Sequence, residues 1–515
     1  MWQRGLEPTY AATPARPDIA ARVSASRRAR AVASAAMCKG ALVGELVDGA
    51  EMPAGLECKS LPSFTRAEVA EHRHDLVIVE DRVYDAAKFM WAHPGGAVFV
   101  AMFGGRDGTL TFQSYHMREF PHGKMAPYLV GVLDAREEPV APDARHLALS
   151  RALAPVLARR GGSFAPPAQV RKAAGLLAAA VALEACMLAT ARTWAGSALL
   201  GLLFALIGLN VQHDANHGAM FKDGRKNALW GLAQSWIGGS QLMWLQEHVV
   251  LHHMHTGDVE YDPDAQLAPV MRGHAGAPWL PWMRFQQFYF LLVELGYGVV
   301  PMFMSFFEVL CWRHKFERKF ALSRLAWRWG LQSVALHLLF YARMVAAPVA
   351  AGLRAAAADP GAAAGACVAA ELAKVAVTVG VAGGYLAFFF FLSHNFDGVH
   401  FVAGAGESGD QRYPERSGFL HQQASSSSNV AGEKLCALNG GLNYQIEHHL
   451  FPRVAHSHYP HIAPVVRAFC ERHGAPYVHF DSVGANLASV FAYLAKFSSP
   501  DYDAPVPKPE GPKAD

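Results

Sequence analysis

The chain has 515 residues, of which 52% are hydrophobic and only 17% are charged. Soluble globular domains have about a quarter of their residues charged, so this composition is typical of a membrane protein. The formal net charge of +3 is too small to indicate a nucleic-acid-binding protein. Seven cysteines are scattered without any CxxC pair, which gives no disulfide framework and no cysteine-based zinc site, and favours a reducing compartment.

The first predicted element is an arginine-rich segment at residues 1–37. It contains six arginines and two acidic residues among many alanines and serines. This composition is typical of an organelle transit peptide, and the apolar core of a secretory signal is missing. We predict a transit-like, disordered segment, with a basic tail that has no targeting role as the alternative.

A small soluble domain is predicted at residues 62–134. Two runs rich in β-branched residues, at 76–79 and 82–84, predict two short strands joined by a turn. His93 follows in an HPGG sequence, and His116 comes 23 residues later. Two helix-borne histidines on either side of an apolar slot can bind a haem iron from both sides, which leaves no open position for oxygen. The sequence therefore predicts a centre that carries electrons, although HPGG by itself could be a turn.

These histidines and the residues between them resemble a cytochrome b5 domain. The resemblance rests on HPGG, on the GRDGT sequence at 105–109, on Phe112 and on His116. It implies a small α+β fold, haem b with His93 and His116 as axial ligands, and a reductase that delivers electrons to the domain. His122, just beyond, is not expected to bind the iron.

Hydropathy rises after a Pro-, Ala- and Arg-rich stretch at 135–170, which we interpret as a linker with a juxtamembrane basic segment. Four later apolar runs are near the ~20 residues that a membrane-spanning helix needs. They lie at 173–191, 195–211, 325–349 and 368–392. Glu184 in the first run is costly in lipid and is expected to face protein. Arg328 and Arg343 weaken the third run.

Two further apolar stretches are predicted not to cross the membrane. The stretch 228–244 is interrupted by a Gly-Gly pair and is interpreted as interfacial or re-entrant. The stretch 285–310 contains two glutamates and a proline, which suits a pair of helices on the membrane surface. With four spans, an even number of crossings separates the histidine-rich stretches described next. An odd number would put them on opposite sides of the membrane.

Three histidine-rich stretches lie beside the apolar runs. They contain His213 and His217; His248, His252 and His253; and, after Gln445, His448 and His449. Residues four apart lie on one face of an α-helix, so each of the first two stretches can direct a pair of imidazoles at a common point. His253, turned by about 100°, could serve a second centre. Neutral imidazole is a ligand of iron, zinc or copper, and seven histidines exceed what one ion needs, so we predict a two-metal site with iron favoured.

The same histidines allow simpler interpretations. They could be surface residues in a chain that contains 25 histidines, or ligands of a zinc hydrolase. The HExxH sequence of such hydrolases is absent, because aspartate rather than glutamate follows His213. A membrane-anchored haem electron carrier with inert histidines would need one span rather than four.

The three stretches resemble the histidine boxes of membrane front-end acyl desaturases. The flanking sequences 212–218, 244–255 and 440–452 are most similar to the delta-4 members in algae, and the resemblance covers about residues 62–490. It implies two non-haem irons, O2 as co-substrate and an acyl lipid of the membrane as substrate. The implied metal ligands and catalytic residues are His213, His217, His248, His252, His253, His448 and His449, with Gln445 in the place of a ligating histidine and His394 as an extra ligand after the last span.

The expected architecture is multidomain. A small α+β haem domain precedes an all-α membrane domain at 171–490 with four transmembrane helices, a cap of histidine boxes on the cytosolic or stromal side, and a disordered tail at 491–515. The expected activity introduces a cis double bond, at delta-4, into polyunsaturated acyl chains; delta-5, delta-6, delta-8 or sphingolipid desaturation and hydroxylation are alternatives. The transit-like start favours a plastid membrane. Plastid desaturases usually take electrons from ferredoxin, so the endoplasmic reticulum is the alternative.

Acidic and amide side chains beside the ligands are expected to orient imidazole N–H groups on other segments. These side chains are Asp214, Asn216, Glu247 and Glu447. The acidic run at 258–264 is interpreted as a solvated loop, with a role in holding ligands or in surface docking as the alternative.

Overall fold

The computed structural model describes residues 61–71, 75–311, 324–402 and 418–502. The predicted transit-like segment and the end of the predicted tail lie outside these residues. Within them, the chain forms a small α+β domain followed by a helical domain with long apolar helices. This is the predicted fold class.

A four-stranded sheet forms the centre of the N-terminal domain. Its strands are Ser63–Phe64, Leu76–Val79, Arg82–Asp85 and Leu129–Leu133. The spatial order is first, fourth, third, second; the first strand is parallel to the fourth, and the other neighbours are antiparallel. Leu76, Ile78 and Val83 share one apolar core, whereas Val79 and Tyr84 belong to a second cluster. The predicted strand pair is therefore observed.

Short helices surround the predicted haem ligands, of which His116 lies in a helix and His93 lies between two. They are Arg66–Glu71, Ala86–Phe89, Met90–Ala92, Ala97–Met102, Thr109–His116, His122–Met125 and Ala126–Tyr128. His93 directly follows Met90–Ala92 and is separated from the next helix by Gly96, whose φ of 105° suits glycine. His116 is the last residue of Thr109–His116.

Part of the predicted linker is a helix, Ala144–Arg159. It begins after Asp143, whose side chain accepts hydrogen bonds from two backbone N–H groups of the first turn. Leu149, Leu153 and Leu157 are four residues apart and buried, so they form one apolar face. That face packs beside the third histidine stretch. The Pro- and Arg-rich composition concealed this packed element.

Among the residues that the structure describes, four single helices are long and apolar enough to cross a membrane. In chain order, spans 1 to 4 are Pro167–Ala189, Trp194–Asn216, Trp327–Ala358 and Ala364–His394. Each overlaps one predicted apolar run, so the four predicted runs are confirmed as long helices. Leu199, Leu331 and Leu353 are at least 50% exposed on these helices, as expected where lipid rather than water surrounds the protein.

An ion pair joins span 1 to span 3. Nε of Arg343 lies 2.7 Å from Oε1 of Glu184, and the guanidinium also lies over Trp236, 3.4 Å from the ring centre. The side chains of Arg343 and Glu184 are only 11% and 4% exposed. A paired charge costs less in apolar surroundings than a single one. Glu184 therefore faces protein, as predicted.

The two apolar stretches predicted not to cross the membrane form short or bent helices. The first consists of Gly224–Gly231, Ala233–Trp236 and Gln241–Trp244. The second consists of Pro281–Phe285, Gln286–Gly296, Val300–Met304 and Ser305–Cys311, with a bend of 44° between its halves. Neither stretch is a straight span. The two halves of the second are together long and apolar enough for one bent span, so its position on the membrane surface stays a prediction.

The remaining elements carry the second and third histidine stretches and the C-terminal part. They are Leu245–His252, His253–His255, Pro263–Ala265, Gly418–Ser425, Ser428–Val430, Glu433–Asn439, Gln445–Leu450, His456–His458, Tyr459–His473, Val478–Phe480 and Val483–Phe497. The strands Ser428–Val430 and Val478–Phe480 pair in parallel. This pairing ties the segment after span 4 to the C-terminal part.

The first part of the predicted disordered tail at 491–515 is helical instead. Helix Val483–Phe497 continues past residue 491. Val490, Leu494 and Phe497 are buried in one apolar cluster with the bent helix pair. Their spacing of three to four residues gives the helix an apolar face, which keeps this segment ordered.

Candidate metal centre and haem pocket

Two of the three histidine stretches begin in π-helical turns. The turn Gly208–Gln212 leads into the first stretch, and Leu245–His252 carries most of the second. Backbone hydrogen bonds in a π-helix join residues five apart, so such residues also become neighbours on one face. Nε2 of His248 accordingly lies 3.3 Å from Nε2 of His253. The expected pairing of His248 with His252 is not observed, because these two rings contribute to different groups.

The first group of potential ligands contains His213, His217, His248 and His448. One ligand atom of each lies within 4.8 Å of the others, and each residue is 7% exposed or less. His253 adjoins this group, with its Nε2 3.0 Å from Nε2 of His448. Residues from all three histidine stretches therefore meet at one place.

The second group contains His252, His394 and His449. Nε2 of His449 lies 3.2 Å from Nε2 of each of the other two rings. The amide nitrogen of Gln445 lies 2.9 Å from Nε2 of His394 and 3.1 Å from Nε2 of His449. This glutamine therefore stands where a fourth ligand would lie. In each pair of adjacent histidines, one ring belongs to the second group and the other belongs to the first group or adjoins it. The two groups therefore lie side by side.

Five of these histidines are held by a hydrogen bond at Nδ1. The bonds join His217 to the Tyr115 hydroxyl at 2.8 Å, His252 to an Asp262 carboxylate oxygen at 2.9 Å, His394 to the Ser426 carbonyl at 2.8 Å, His448 to the Tyr459 hydroxyl at 3.1 Å and His449 to the Gln423 amide oxygen at 2.9 Å. An Nδ1–H group that donates to such a partner leaves the Nε2 lone pair for a metal ion and fixes the direction of the ring. The bonds therefore prearrange five Nε2 atoms for metal binding.

The electrostatics favour neutral imidazoles at five of these histidines and a protonated ring at one. Burial, helped by the neighbouring imidazoles, lowers the pKa well below the ordinary value of 6.5 for His217, His248, His253, His448 and His449. For His252, burial also lowers the pKa, but the carboxylates of Asp262 and Asp264 outweigh it and raise the pKa to about 9. A carboxylate behind an imidazole makes it a more basic ligand once a metal replaces the proton at Nε2.

The donor atoms fit two transition-metal ions. Metal–imidazole bonds are about 2.1 Å long, so two ligands at a right angle on one ion lie about 3 Å apart. The Nε2–Nε2 distances quoted above are 3.0 to 3.3 Å. A set made mainly of imidazoles suits iron, copper or zinc. Iron bound here would supply the oxygen activation that oxidation of an unactivated C–H bond requires.

An apolar cavity of about 500 Å³ lies beside both groups. His248 of the first group and His252 and His394 of the second line it. Most of its wall is apolar and comes from spans 2 and 4 and the bent helix pair, with Phe204 and Phe390 among the residues that contribute. A cavity with this lining suits an apolar chain whose reacting carbons lie next to the metal ligands.

The residues predicted to orient the ligands have other partners. Asp214 accepts a hydrogen bond at 2.9 Å from Nδ1 of His456, which belongs to neither group. Glu447 accepts one at 2.8 Å from the Tyr477 hydroxyl. Asn216 donates to a glutamine of its own helix. The expectation that these three orient the metal ligands is therefore corrected. The bonds of Asp214 and Glu447 hold neighbouring elements together, and that of Asn216 lies within its own helix.

The acidic run after the second stretch supplies a carboxylate that does orient a ligand. Asp262 is 3% exposed and accepts from His252, while its second oxygen accepts from the backbone N–H of Gly257 at 2.8 Å. The solvated-loop interpretation is wrong for this residue, and the alternative, a role in holding a ligand, is observed. Glu247 lines the apolar cavity of about 500 Å³.

Three side chains that orient ligands were missed by the sequence analysis. Tyr115, Gln423 and Tyr459 contact their histidines from 102, 26 and 11 residues away along the chain. Hydroxyl and amide groups are common, and no spacing pattern marks these three. Only the fold brings them to the ligands.

His93 and His116 face each other across a second cavity, of about 340 Å³. Their ring centroids are 6.1 Å apart, close to the roughly 6 Å expected when two imidazoles bind one iron from opposite sides with bonds of about 2 Å. Nδ1 of His93 donates to the Gly96 carbonyl and Nδ1 of His116 to the Phe112 carbonyl, both at 3.0 Å. Burial, followed by the charge of Arg453, lowers the pKa of His116 to about 3. Two neutral rings with available Nε2 atoms fit a haem with two axial histidines.

His122 is engaged elsewhere in the same domain. Its Nδ1 contacts the Tyr84 hydroxyl and its Nε2 the Glu80 carboxylate, both at 2.8 Å. Both ring nitrogens are thus used, which agrees with its exclusion as a haem ligand.

Two protein-family models match the chain. Residues 188–481 match "Fatty acid desaturase", and residues 65–134 match "Cytochrome b5-like Heme/Steroid binding domain". The Acyl-lipid (7-3)-desaturase of Diacronema lutheri is 45% identical over 446 residues, which cover 87% of this chain and 95% of the relative. The Acyl-lipid (7-3)-desaturase of Rebecca salina is also 45% identical, over 84% of this chain and 92% of the relative. The "Acyl-lipid (7-3)-desaturase, chloroplastic" of Chlamydomonas reinhardtii is 30% identical, over 80% of this chain and 78% of the relative.

Proposed function

Because this chain belongs to the fatty acid desaturase family and carries a cytochrome b5 domain of its own, we propose that it introduces a cis double bond at the delta-4 position of polyunsaturated acyl chains. It is a membrane oxidoreductase of the front-end acyl-lipid type. The observation that carries the proposal is the position of the two histidine groups. They lie between the haem pocket, which His217 lines, and the apolar cavity, which His248, His252 and His394 line.

The chemistry requires both cofactor sites. An unactivated methylene has no acidic proton and no leaving group, so acid–base or nucleophilic side chains cannot oxidise it. Desaturation takes two hydrogens from adjacent carbons of the chain and combines them with O2, two electrons and two protons to give two molecules of water. The two histidine groups would hold two non-haem irons, and His93 and His116 would hold haem b, which passes the electrons singly.

The chain's own residues prepare this reaction. The five Nδ1 hydrogen bonds orient the ligands before any metal binds. The apolar cavity excludes water and holds the acyl chain against both groups. With its amide turned so that the oxygen, which has no partner among the described residues, takes the place of the nitrogen beside His394 and His449, Gln445 would complete the second group as a ligand.

The delta-4 position is supported by the relatives and by the box sequences. Both 45%-identical relatives carry (7-3) in their names. A position three carbons toward the carboxyl end from a double bond at carbon 7 is carbon 4. A glutamine at the first position of the third box also indicates a front-end enzyme, which works between the carboxyl group and an existing double bond.

Feeding experiments test the position. A yeast host that expresses the chain should be fed polyunsaturated acids with a double bond at carbon 7, and the lipids analysed by mass spectrometry of derivatives that locate double bonds. We expect a new bond at carbon 4, none with His448→Ala, and normal product with His122→Ala. A bond at carbon 5, 6 or 8, or a hydroxylated product, would refute delta-4.

Metal analysis tests the cofactors independently. Two non-haem irons per chain are expected in addition to one haem, from the two ligand groups and the one axial pair. Haem iron alone would instead indicate an electron carrier without desaturase chemistry.

We further propose a plastid membrane as the location and a reductase as the partner that reduces the haem. The arginine-rich start and the word "chloroplastic" in the name of the Chlamydomonas relative support the plastid. Fusing residues 1–60 to a fluorescent reporter tests this location. Reporter in the endoplasmic reticulum and not in plastids would contradict it.

A further inference from the structure

One hydrogen bond connects the two cofactor sites directly. The Tyr115 hydroxyl lies 2.8 Å from Nδ1 of His217, and the two residues are 8% and 1% exposed. Tyr115 is the neighbour of the haem ligand His116 in helix Thr109–His116 and lines the haem pocket. His217 belongs to the first metal group. A single side chain therefore contacts the haem cavity on one side and an iron ligand on the other.

We propose that Tyr115 is a positioning residue that orients His217 and provides the contact through which electrons pass from the haem domain to the first metal group. The inference rests on the proposed function for the presence of haem and iron. Beyond that function, the connection between the haem domain and the first metal group is assigned to the Tyr115 hydroxyl.

The state of the His217 ring follows from its surroundings. Its Nε2 has no hydrogen-bond partner among the described residues and belongs with the other imidazoles of the first group. Metal binding at Nε2 requires the proton to be on Nδ1, which then donates to the Tyr115 oxygen. Among the described residues, His213 has no hydrogen-bond partner at either ring nitrogen. Of the two histidines in the first box, His217 is thus the one held in place, and Tyr115 holds it.

The surrounding contacts keep the haem domain against the boxes. Gly218 and Val249 line the haem pocket together with His217, so residues of the first two boxes form part of its wall. One turn before Tyr115 in helix Thr109–His116, the Thr111 hydroxyl contacts the sulfur of Met254, which follows the second histidine box. Helix Thr109–His116, which ends in a predicted haem ligand, therefore packs directly on the first two histidine stretches.

The electron balance is simple. In each transfer a ferrous haem held by His93 and His116 would give up one electron and become ferric, and a ferric iron held by the first group would accept that electron and become ferrous. The reductase named above returns the haem to the ferrous state. Two such transfers supply the two electrons that one double bond requires.

The variant Tyr115→Phe removes only the hydroxyl. Tyr84→Phe is a matched control, because the hydroxyl that it removes also lies 2.8 Å from a histidine Nδ1, that of His122, while the aromatic ring is kept. His122 belongs to neither metal group. Both variants lose one hydroxyl–imidazole bond in the same domain, but only Tyr115→Phe loses one that reaches an iron ligand.

Flash reduction of the full-length, iron-loaded protein tests the proposal without any lipid substrate. In the absence of oxygen, a light pulse on an added flavin with a sacrificial electron donor reduces the haem, and the absorbance of the reduced haem then decays as the electron moves to ferric non-haem iron. We expect a decay about tenfold slower in Tyr115→Phe, the lower end of the effect of removing a partner of a metal ligand. The haem spectrum and haem content should be unchanged, and Tyr84→Phe should decay at the wild-type rate.

The possible outcomes separate this inference from the proposed function. Equal decay in Tyr115→Phe and the wild type, with equal iron content, would overturn it, as would equal slowing by Tyr84→Phe. Loss of non-haem iron from Tyr115→Phe alone, with haem retained, supports it, because the tyrosine then holds the ligand. A wild-type protein that passes electrons to iron but forms no double bond in the feeding experiment would refute only the proposed function.

Discussion

Asp262 accepts a hydrogen bond from Nδ1 of His252 at 2.9 Å, and the two side chains are only 4% and 2% exposed. The second Asp262 oxygen accepts from the backbone N–H of Gly257, so the carboxylate cannot rotate away without breaking that bond. This pair holds a ligand of the second metal group from a loop that looks solvent-exposed in the sequence. A carboxylate behind a ligating imidazole both orients it and increases its basicity.

We predict that Asp262→Asn weakens iron binding at the second group by about tenfold or more. Asparagine keeps the size of the side chain but removes the charge that favours an Nδ1–H donor. Iron per chain, measured after equilibration with increasing chelator, checks this. Asp264→Asn is the control, because Asp264 is 3.4 Å from the same ring and its side chain is 48% exposed. A larger effect of Asp264→Asn would show that the buried pair is not the important one.

Replacing either haem ligand should separate the two cofactor sites. His93→Ala and His116→Ala are expected to abolish haem absorbance and desaturation while the non-haem iron stays bound, because neither residue belongs to a metal group. Absorption spectra and iron analysis of the same samples check this. His122→Ala should keep its haem. Full activity of His93→Ala would mean that another electron donor reaches the metal groups.

The stability of the protein should depend on the protonation of Asp258. Burial raises the pKa of this carboxyl from 3.8 to about 7, against hydrogen bonds from two backbone N–H groups that lower it. The folded state therefore holds a proton that the unfolded state releases between about pH 4 and pH 7, so this group destabilises the fold as the pH rises through that window. Asp258→Asn removes the dependence. We expect its melting temperature to exceed that of the wild type at pH 8, by on the order of 2 °C, and to match it more closely at pH 5. Equal differences at both pH values would contradict the assignment.

Two glycines at helix ends allow backbone strain to be separated from crowding. Gly440 and Gly474 both end helices with left-handed φ angles, of 63° and 67°. A Cβ atom at Gly440 would lie 2.1 Å from the carbonyl oxygen of Leu209, just before the first box, whereas one at Gly474 would meet nothing within 4 Å.

Gly474→Ala should therefore lower the free energy of unfolding by about 1–2 kcal/mol, the cost of a left-handed conformation for alanine. Gly440→Ala should cost about 1–3 kcal/mol more from overpacking, and should also reduce iron content because it pushes on the turn that leads to His213. Thermal unfolding in detergent and iron analysis check both variants. Equal destabilisation would mean that the close contact at Gly440 relaxes without cost.

Local patterns predicted most of the fold. Spans 1 to 4 were identified because a bilayer demands about 20 consecutive apolar residues, and that requirement is visible in composition alone. The haem ligands were found because HPGG and a histidine at a set distance lie within one small domain. The packed helix Ala144–Arg159 was missed, since its apolar face is spread over three turns and a Pro-rich composition surrounds it.

The sequence by itself determined the class of this protein: residue types, their spacing and the length of apolar runs specify a haem pair, four spans and histidine boxes. Only the tertiary structure decided how the ligands are shared and which side chains hold them. His252 meets His449 across 197 residues of chain, and His253 meets His448 across 195. Asp262 and Tyr115 reach their histidines through loop folding and domain packing. Such partnerships depend on the relative placement of separately formed elements, and no local periodicity encodes that placement.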